Sequence, residues 1–195
     1  MNKAIGQADT VVQTPSTKVD TIVRPVKFFV LQAGGGISAY TGKIDIGATG
    51  LPGSIYRNKA MFTARFMWYP SYRLRMGFES GYLQFYSYNV KNGNSNGSVN
   101  LTAIPLLFVF SMQVVDRINI SAGLGAYWLT TRLQYNGKVN SSALELGSNI
   151  ALSYTYPLSN KLGLAVEAEW LNAYVSKDAA LALKMQLVWK FVQWK

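Results

Sequence analysis

Over most of residues 26–191 apolar side chains recur at every second position. In the segment Leu181 to Phe191, Leu181, Leu183, Met185, Leu187, Trp189 and Phe191 share one parity, while Ala182, Lys184, Gln186, Val188 and Lys190 share the other. Successive side chains point to opposite faces only in a strand, so this pattern specifies a β-strand with one apolar face. Phe62, Ala64, Phe66 and Trp68 likewise oppose Thr63, Arg65 and Tyr69. Ile118, Ile120, Ala122, Leu124, Ala126 and Trp128 oppose Asn119, Ser121, Gly123 and Gly125, and Leu144, Leu146, Ile150, Leu152 and Tyr154 oppose Glu145, Gly147, Asn149, Ser153 and Thr155. A membrane-spanning helix needs about 20 mostly apolar residues. The longest unbroken apolar run here, Ala103 to Phe110, has eight and contains a proline.

Eight segments carry the strand texture, near 26–41, 60–70, 73–88, 99–113, 117–134, 143–156, 161–174 and 180–191. Between the first two lies a long loop, GKIDIGATGLPGSIYRNK; KNGNSNGS (91–98) and 136–142 read as further loops. Pro70-Ser71-Tyr72, Val115-Asp116, Pro157 to Asn160 and Ser176-Lys177-Asp178 read as short turns, with Gly, Asn and Pro supplying the conformations. Long loops on one side and tight turns on the other are expected of an up-and-down antiparallel barrel in an outer membrane. The expected fold is therefore all-β, an eight-stranded antiparallel transmembrane barrel. A soluble barrel of the lipocalin kind would have the opposite polarity, with an apolar lumen and a charged exterior. Residues 1–24, polar and without sustained period, form an expected periplasmic N-terminal tail, and 25–195 the barrel. The opening MNKAIGQADTVVQ has no apolar stretch of the kind a secretory leader carries.

Composition narrows the chemistry. The chain has 195 residues, a formal charge of +10 and only 14% charged residues, against about 25% in ordinary soluble domains. It has no cysteine and no histidine. Disulfides and thiolate metal sites are excluded, as is any Ser-His triad. No cofactor or metal site is expected. The inward faces carry Glu79, Glu145, Glu167 and Glu169 together with Arg65, Arg75, Lys184 and Lys190, so a lumen network of ion pairs is expected to fill the barrel and fix its register. A proton or ion relay through the same groups, or a carboxylate pair working on a sugar, is the sharper alternative; no sugar reaches a filled lumen. The five aspartates fall in the tail, loops or turns. Trp68, Trp128, Trp170, Trp189 and Phe191 fall on the outer faces, as lipid-interface aromatics would. Lys43, Arg57, Lys59, Lys91, Lys138 and Lys177 on the loop side, and Arg73, Arg117 and Lys161 on the other, suit phosphate-bearing headgroups, lipopolysaccharide included. No stacking-and-basic motif for nucleic acid accompanies them. The glycine triplet at 34–36 lacks the Lys-Ser/Thr and the helix of a phosphate loop and reads as close strand packing.

The stretch TAIPLLFVFSMQ, a turn and INISAGLGAYW, with Ile104-Pro105-Leu106-Leu107 and Ala122-Gly123-Leu124-Gly125, resembles the Bacteroidetes-type outer-membrane β-barrel domain family, which includes PorT-like proteins. GFESGY at 77–82 is similar to that family's third strand. Ala103 stands where the family has an acid and Val109 where a lysine is common, so the lumen pairing must differ. Trp189 and Phe191 resemble the terminal aromatic signal of such barrels, although Val-Gln-Trp-Lys follows. The resemblance implies a barrel in the outer membrane of a Gram-negative cell and no shared enzymatic activity; the even number of strands and the short-turn side are what place both termini in the periplasm. The expected role is that of a structural or accessory subunit contacting another outer-membrane or periplasmic protein, with a narrow channel for small or apolar solutes as the alternative.

Overall fold

The computed structural model describes residues 27–42, 53–70, 73–92, 95–134 and 137–194; the tail 1–24 lies outside them. Among the described residues nine strands are present: β1 (Lys27–Tyr40), β2 (Gly53–Tyr56), β3 (Asn58–Tyr69), β4 (Leu74–Asn92), β5 (Ser95–Val115), β6 (Ile118–Gln134), β7 (Lys138–Pro157), β8 (Leu162–Ala173) and β9 (Asp178–Trp194). Short β2 pairs with the far end of β4, beyond β3, and so prolongs β3 rather than adding a stave. The remaining eight pair antiparallel with their neighbours in sequence, and β1 pairs with β9. The result is a closed eight-stranded up-and-down barrel, without helices among the described residues. Residues 27 and 194 lie together at one end, here the termini end; β1 ends and β2 begins at the opposite, loop end.

The loop end is more regular than its polar sequence suggests. The expected loop at 91–98 is mostly strand, with Lys91 facing Asn96 and Asn92 facing Ser95. In the expected loop at 136–142, strand β7 already starts at Lys138, opposite Gln134. Gly53–Tyr56 is strand as well. Polar residues conceal these extensions because strands that project beyond an apolar zone have no reason to alternate. At the other terminus β9 continues through the four residues after Phe191, with Trp194 opposite Lys27. Phe191 sits at a register shift, since Val30 faces Lys190 and Phe29 faces Val192.

The parity seen in the sequence sorts the side chains. Outward Phe62, Phe78, Leu124, Leu144 and Leu146 are all more than 60% exposed. Between the strand ends the outward positions carry no charge. The inward face carries more than the expected network of ions. Tyr40, Met61, Leu83, Phe85, Leu101, Ala103 and Leu129 form an apolar layer toward the loop end, and Val30, Met67, Val109 and Val188 one toward the termini. A polar belt lies between them. Inward glycines admit the larger groups: the Tyr127 ring, fully buried, occupies the space where Gly147 would carry a Cβ. Gly34 and Gly36 allow β1 to approach β9 so closely that a Cβ on either would meet backbone atoms at about 2 Å.

Gly36→Val is therefore expected to prevent barrel closure, because its Cβ would strike the Leu183 carbonyl. Gly35→Ala, which meets the movable Phe62 ring and one carbonyl at 2.9–3.0 Å, should still fold. The folded fraction of each variant, refolded in micelles and read by circular dichroism and heat-dependent gel mobility, checks this contrast.

Candidate functional site

Four strands bring the central ions together. Arg65 and Glu79 face each other across β3 and β4, and Glu167 and Lys184 across β8 and β9. Inside a barrel these pairs meet across the lumen. The Arg65 guanidinium donates to Glu79 Oε2 through Nε (2.9 Å) and Nη2 (2.6 Å), and to both Glu167 oxygens at 2.9 Å. The Lys184 ammonium lies 2.8 Å from Glu79, 3.1 Å from Glu167 and 2.7 Å from Glu169. Asn149 donates from its amide to Glu79 and Glu169. Gln32 accepts from Arg65, and Gln186 donates to Thr63 at 3.2 Å.

Three carboxylates thus surround two cations. Their oxygens approach within 4.8 Å of one another, a spacing that also suits a metal ion, but the Lys184 ammonium already provides the central positive charge. All five ionic side chains are no more than 3% exposed. Neighbouring Leu107, Val109, Asn149 and Gln186 are equally inaccessible. A water-sized sphere reaches almost none of their surface, so the belt fills the middle of the lumen. A nucleophile or general base acting on an external substrate needs access that these carboxylates lack.

Three of the residues expected in the network stand elsewhere. Glu145 has inward parity but sits near the loop end, where it accepts a hydrogen bond from the Ser176 backbone N–H at 2.9 Å. Arg75 and Lys190 line the mouth at the termini end instead. Arg75 donates to Asn119 Oδ1 (2.6 Å) and Gln113 Oε1 (2.8 Å), and Lys190 lies over the Phe28 ring. Parity assigns a side chain to a face but not to a height, and the strands are long enough to separate charges that share a face. Asp178, read as a turn residue, is buried at the start of β9 and accepts from Tyr40 Oη at 2.6 Å. Extending the 180–182–184 parity back by one step would have found it.

Outside, Trp128 and Trp170 lie toward the loop end, whereas Trp68, Trp189 and Phe191 lie toward the termini. Phe191 packs with Trp189 (5.6 Å), Phe66 (5.9 Å) and Phe29 (6.3 Å). Arg57, Lys59, Lys138 and Lys177 sit at the loop end, and Arg73, Arg117 and Lys161 at the other. Lys43 lies outside the described residues.

No family model matches the chain, and no curated protein matches it in sequence. Solved structures do share its fold. Ail, the attachment invasion locus protein of Yersinia pestis, aligns with a TM-score of 0.52 at 9% identity, over 86% of this chain and 100% of that one. It has also been solved in complex with the heparin analogue sucrose octasulfate. The outer membrane protein OprG of Pseudomonas aeruginosa aligns at 0.50 and 13% identity, over 85% of this chain and 97% of its own. At such identities the likeness extends to the barrel and no further.

The imbalance of three acids against two bases has a measurable consequence. Glu79→Gln removes one of the two carboxylates that contact both cations, the other being Glu167, and should cost about 3–5 kcal/mol, as for a broken buried pair. Either substitution brings the belt to two acids against two bases, but Glu169→Gln removes contact with a single cation, Lys184, and keeps the side chain's shape. It should cost under about 1 kcal/mol, the scale of one ordinary hydrogen bond. Urea unfolding in lipid vesicles, compared between the two variants, distinguishes them.

Proposed function

We propose that this protein is a non-enzymatic barrel of the Gram-negative outer membrane that works through its surface, as a structural or accessory subunit beside other envelope proteins. The filled lumen is the observation that carries the reading: with its middle occupied by ions at 0–3% exposure, the interior offers neither a path nor a reaction chamber. That weighs against a channel for small or apolar solutes. Residence in the membrane is supported by the uncharged outward band and by the likeness of the fold to outer-membrane proteins. The Ile104–Leu107 and Ala122–Gly125 motifs favour a Bacteroidetes-type relationship, with periplasmic termini.

The outward face supports a lateral partner. Where β3, β4 and β5 meet, small Ala64 and Ser80 leave a concavity of about 510 Å³ walled by Phe66, Phe78, Leu106 and Phe108. In lipid, small residues between larger ones allow two membrane proteins to approach closely. A complex used in secretion or assembly is the setting that suits such a subunit.

Two measurements test the proposal. In planar bilayers the purified barrel should show no discrete conductance; regular steps would revive the channel. In native membranes, a photo-crosslinking residue at Phe78 should capture one protein in stoichiometric yield, and the same residue at Leu144 should not. Recovery of the barrel with lipid alone from both positions would defeat the subunit reading.

A further inference from the structure

We infer that the mouth at the termini end is a binding site for a small organic carboxylate with an aromatic or aliphatic body. The inference does not depend on the lateral partner proposed above, because it concerns the lumen and not the outer surface. A cavity of about 510 Å³ opens there, lined by Phe28, Tyr69, Arg75, Asn119, Val188 and Lys190 among others. Its volume lies in the range of small-molecule sites, about 300–1,000 Å³, and it combines apolar walls with a few directed polar groups, as such sites do.

The walls are built to hold positive charge in place. Phe28 and Tyr69 are cross-strand partners on β1 and β3, with ring centroids 4.7 Å apart. The Lys190 ammonium stands 5.4 Å from the centre of Phe28, and the Arg75 guanidinium 4.3 Å from that of Tyr69. Both distances are within the reach of a cation–π contact. A stacked aromatic pair is thus flanked by two cations. Asn119 and Gln113 orient the Arg75 fork through neutral oxygens, which leaves its charge uncompensated. Among the described residues neither Arg75 nor Lys190 forms an ion pair. Asp116, the carboxylate in the lining, lies 3.7 Å from exposed Arg117, which faces the same cavity. The lining therefore retains an excess of two positive charges.

Depth selects the rest of the ligand. Val30 and Val188, 0% and 6% exposed, form the inner wall. Beyond them lies the ionic belt that fills the middle of the lumen, so a ligand enters and leaves by the same opening. Inorganic phosphate could meet the cations but would leave the rings and valines uncovered. A carboxylate on an apolar body satisfies both, with the anion toward Arg75 and Lys190 and the body against Phe28 and Val188. Binding without passage suits a site that senses or holds such a molecule.

The test uses the full chain in lipid nanodiscs with 4-fluorophenylacetate as the probe and 4-fluorophenethylamine, its cationic counterpart, as the control. Fluorine NMR should show saturable broadening of the acid beyond that of the amine. Arg75→Gln and Lys190→Gln should each weaken acid binding about tenfold, and the pair together should abolish it. Lys138→Gln, at the loop end, should leave it unchanged. If Arg75→Gln fails to fold, Lys190→Gln alone carries the comparison, since among the described residues the Lys190 ammonium meets only the Phe28 ring face in the cavity and supports no hydrogen-bonded framework there. Equal broadening of acid and amine, or acid binding indifferent to both substitutions, would overturn the inference.

Discussion

Everything in this molecule depends on closing the sheet. Each unpaired backbone N–H or C=O exposed to hydrocarbon costs several kcal/mol, so a sheet with apolar outer faces must have no edge. The contact that removes the edge is the antiparallel pairing of β1 with β9, which runs from Lys27–Trp194 to Tyr40–Ala180. Gly34 and Gly36 lie within that pairing, at positions where nothing larger than hydrogen fits between the strands. The glycine triplet is thus a feature of closure.

Closure determines the character of the interior. Eight strands enclose a space that side chains can fill, and here they fill it in three layers: apolar, ionic and apolar again. The ionic layer is costly to desolvate, and its charges stay inside because each carboxylate contacts a cation directly. What the belt provides is specificity. Arg65, Glu79, Glu167 and Lys184 come from β3, β4, β8 and β9, strands distant in sequence, and they meet correctly only in one register. A shift by one residue would turn these charges toward lipid. The same belt divides the lumen and leaves a vestibule at the termini end, where Arg75 and Lys190 form no ion pair among the described residues.

Much of this was legible in the chain itself. The inward and outward parities of β3, β6, β7 and β9 follow directly from the alternation, because a buried or lipid-facing strand must keep period two. The strand extensions at the loop end were not legible: Asn92, Ser95 and Lys138 are polar on both parities, since both faces there meet water. Nor was height along the barrel axis. Glu145, Arg75 and Lys190 share an inward parity with the ions of the belt, yet stand well away from it near the two ends. Nor was the inward placement of large apolar residues such as Phe85 and Leu101 legible, for it depends on the neighbours that surround them in the closed barrel.

The sequence by itself determined the eight staves and the parity of their faces, the apolar exterior and the exclusion of histidine and cysteine chemistry. These properties are local or compositional, and a period of two needs no partner to be seen. Only the tertiary structure decided which charges meet, that Lys184 takes the central position among three carboxylates, that the middle of the lumen is filled, and that Arg75 and Lys190 flank an aromatic pair in an open mouth. Those outcomes depend on how far each strand is displaced along its neighbour. That displacement is settled by pairing around the whole ring, which no single segment of the chain encodes.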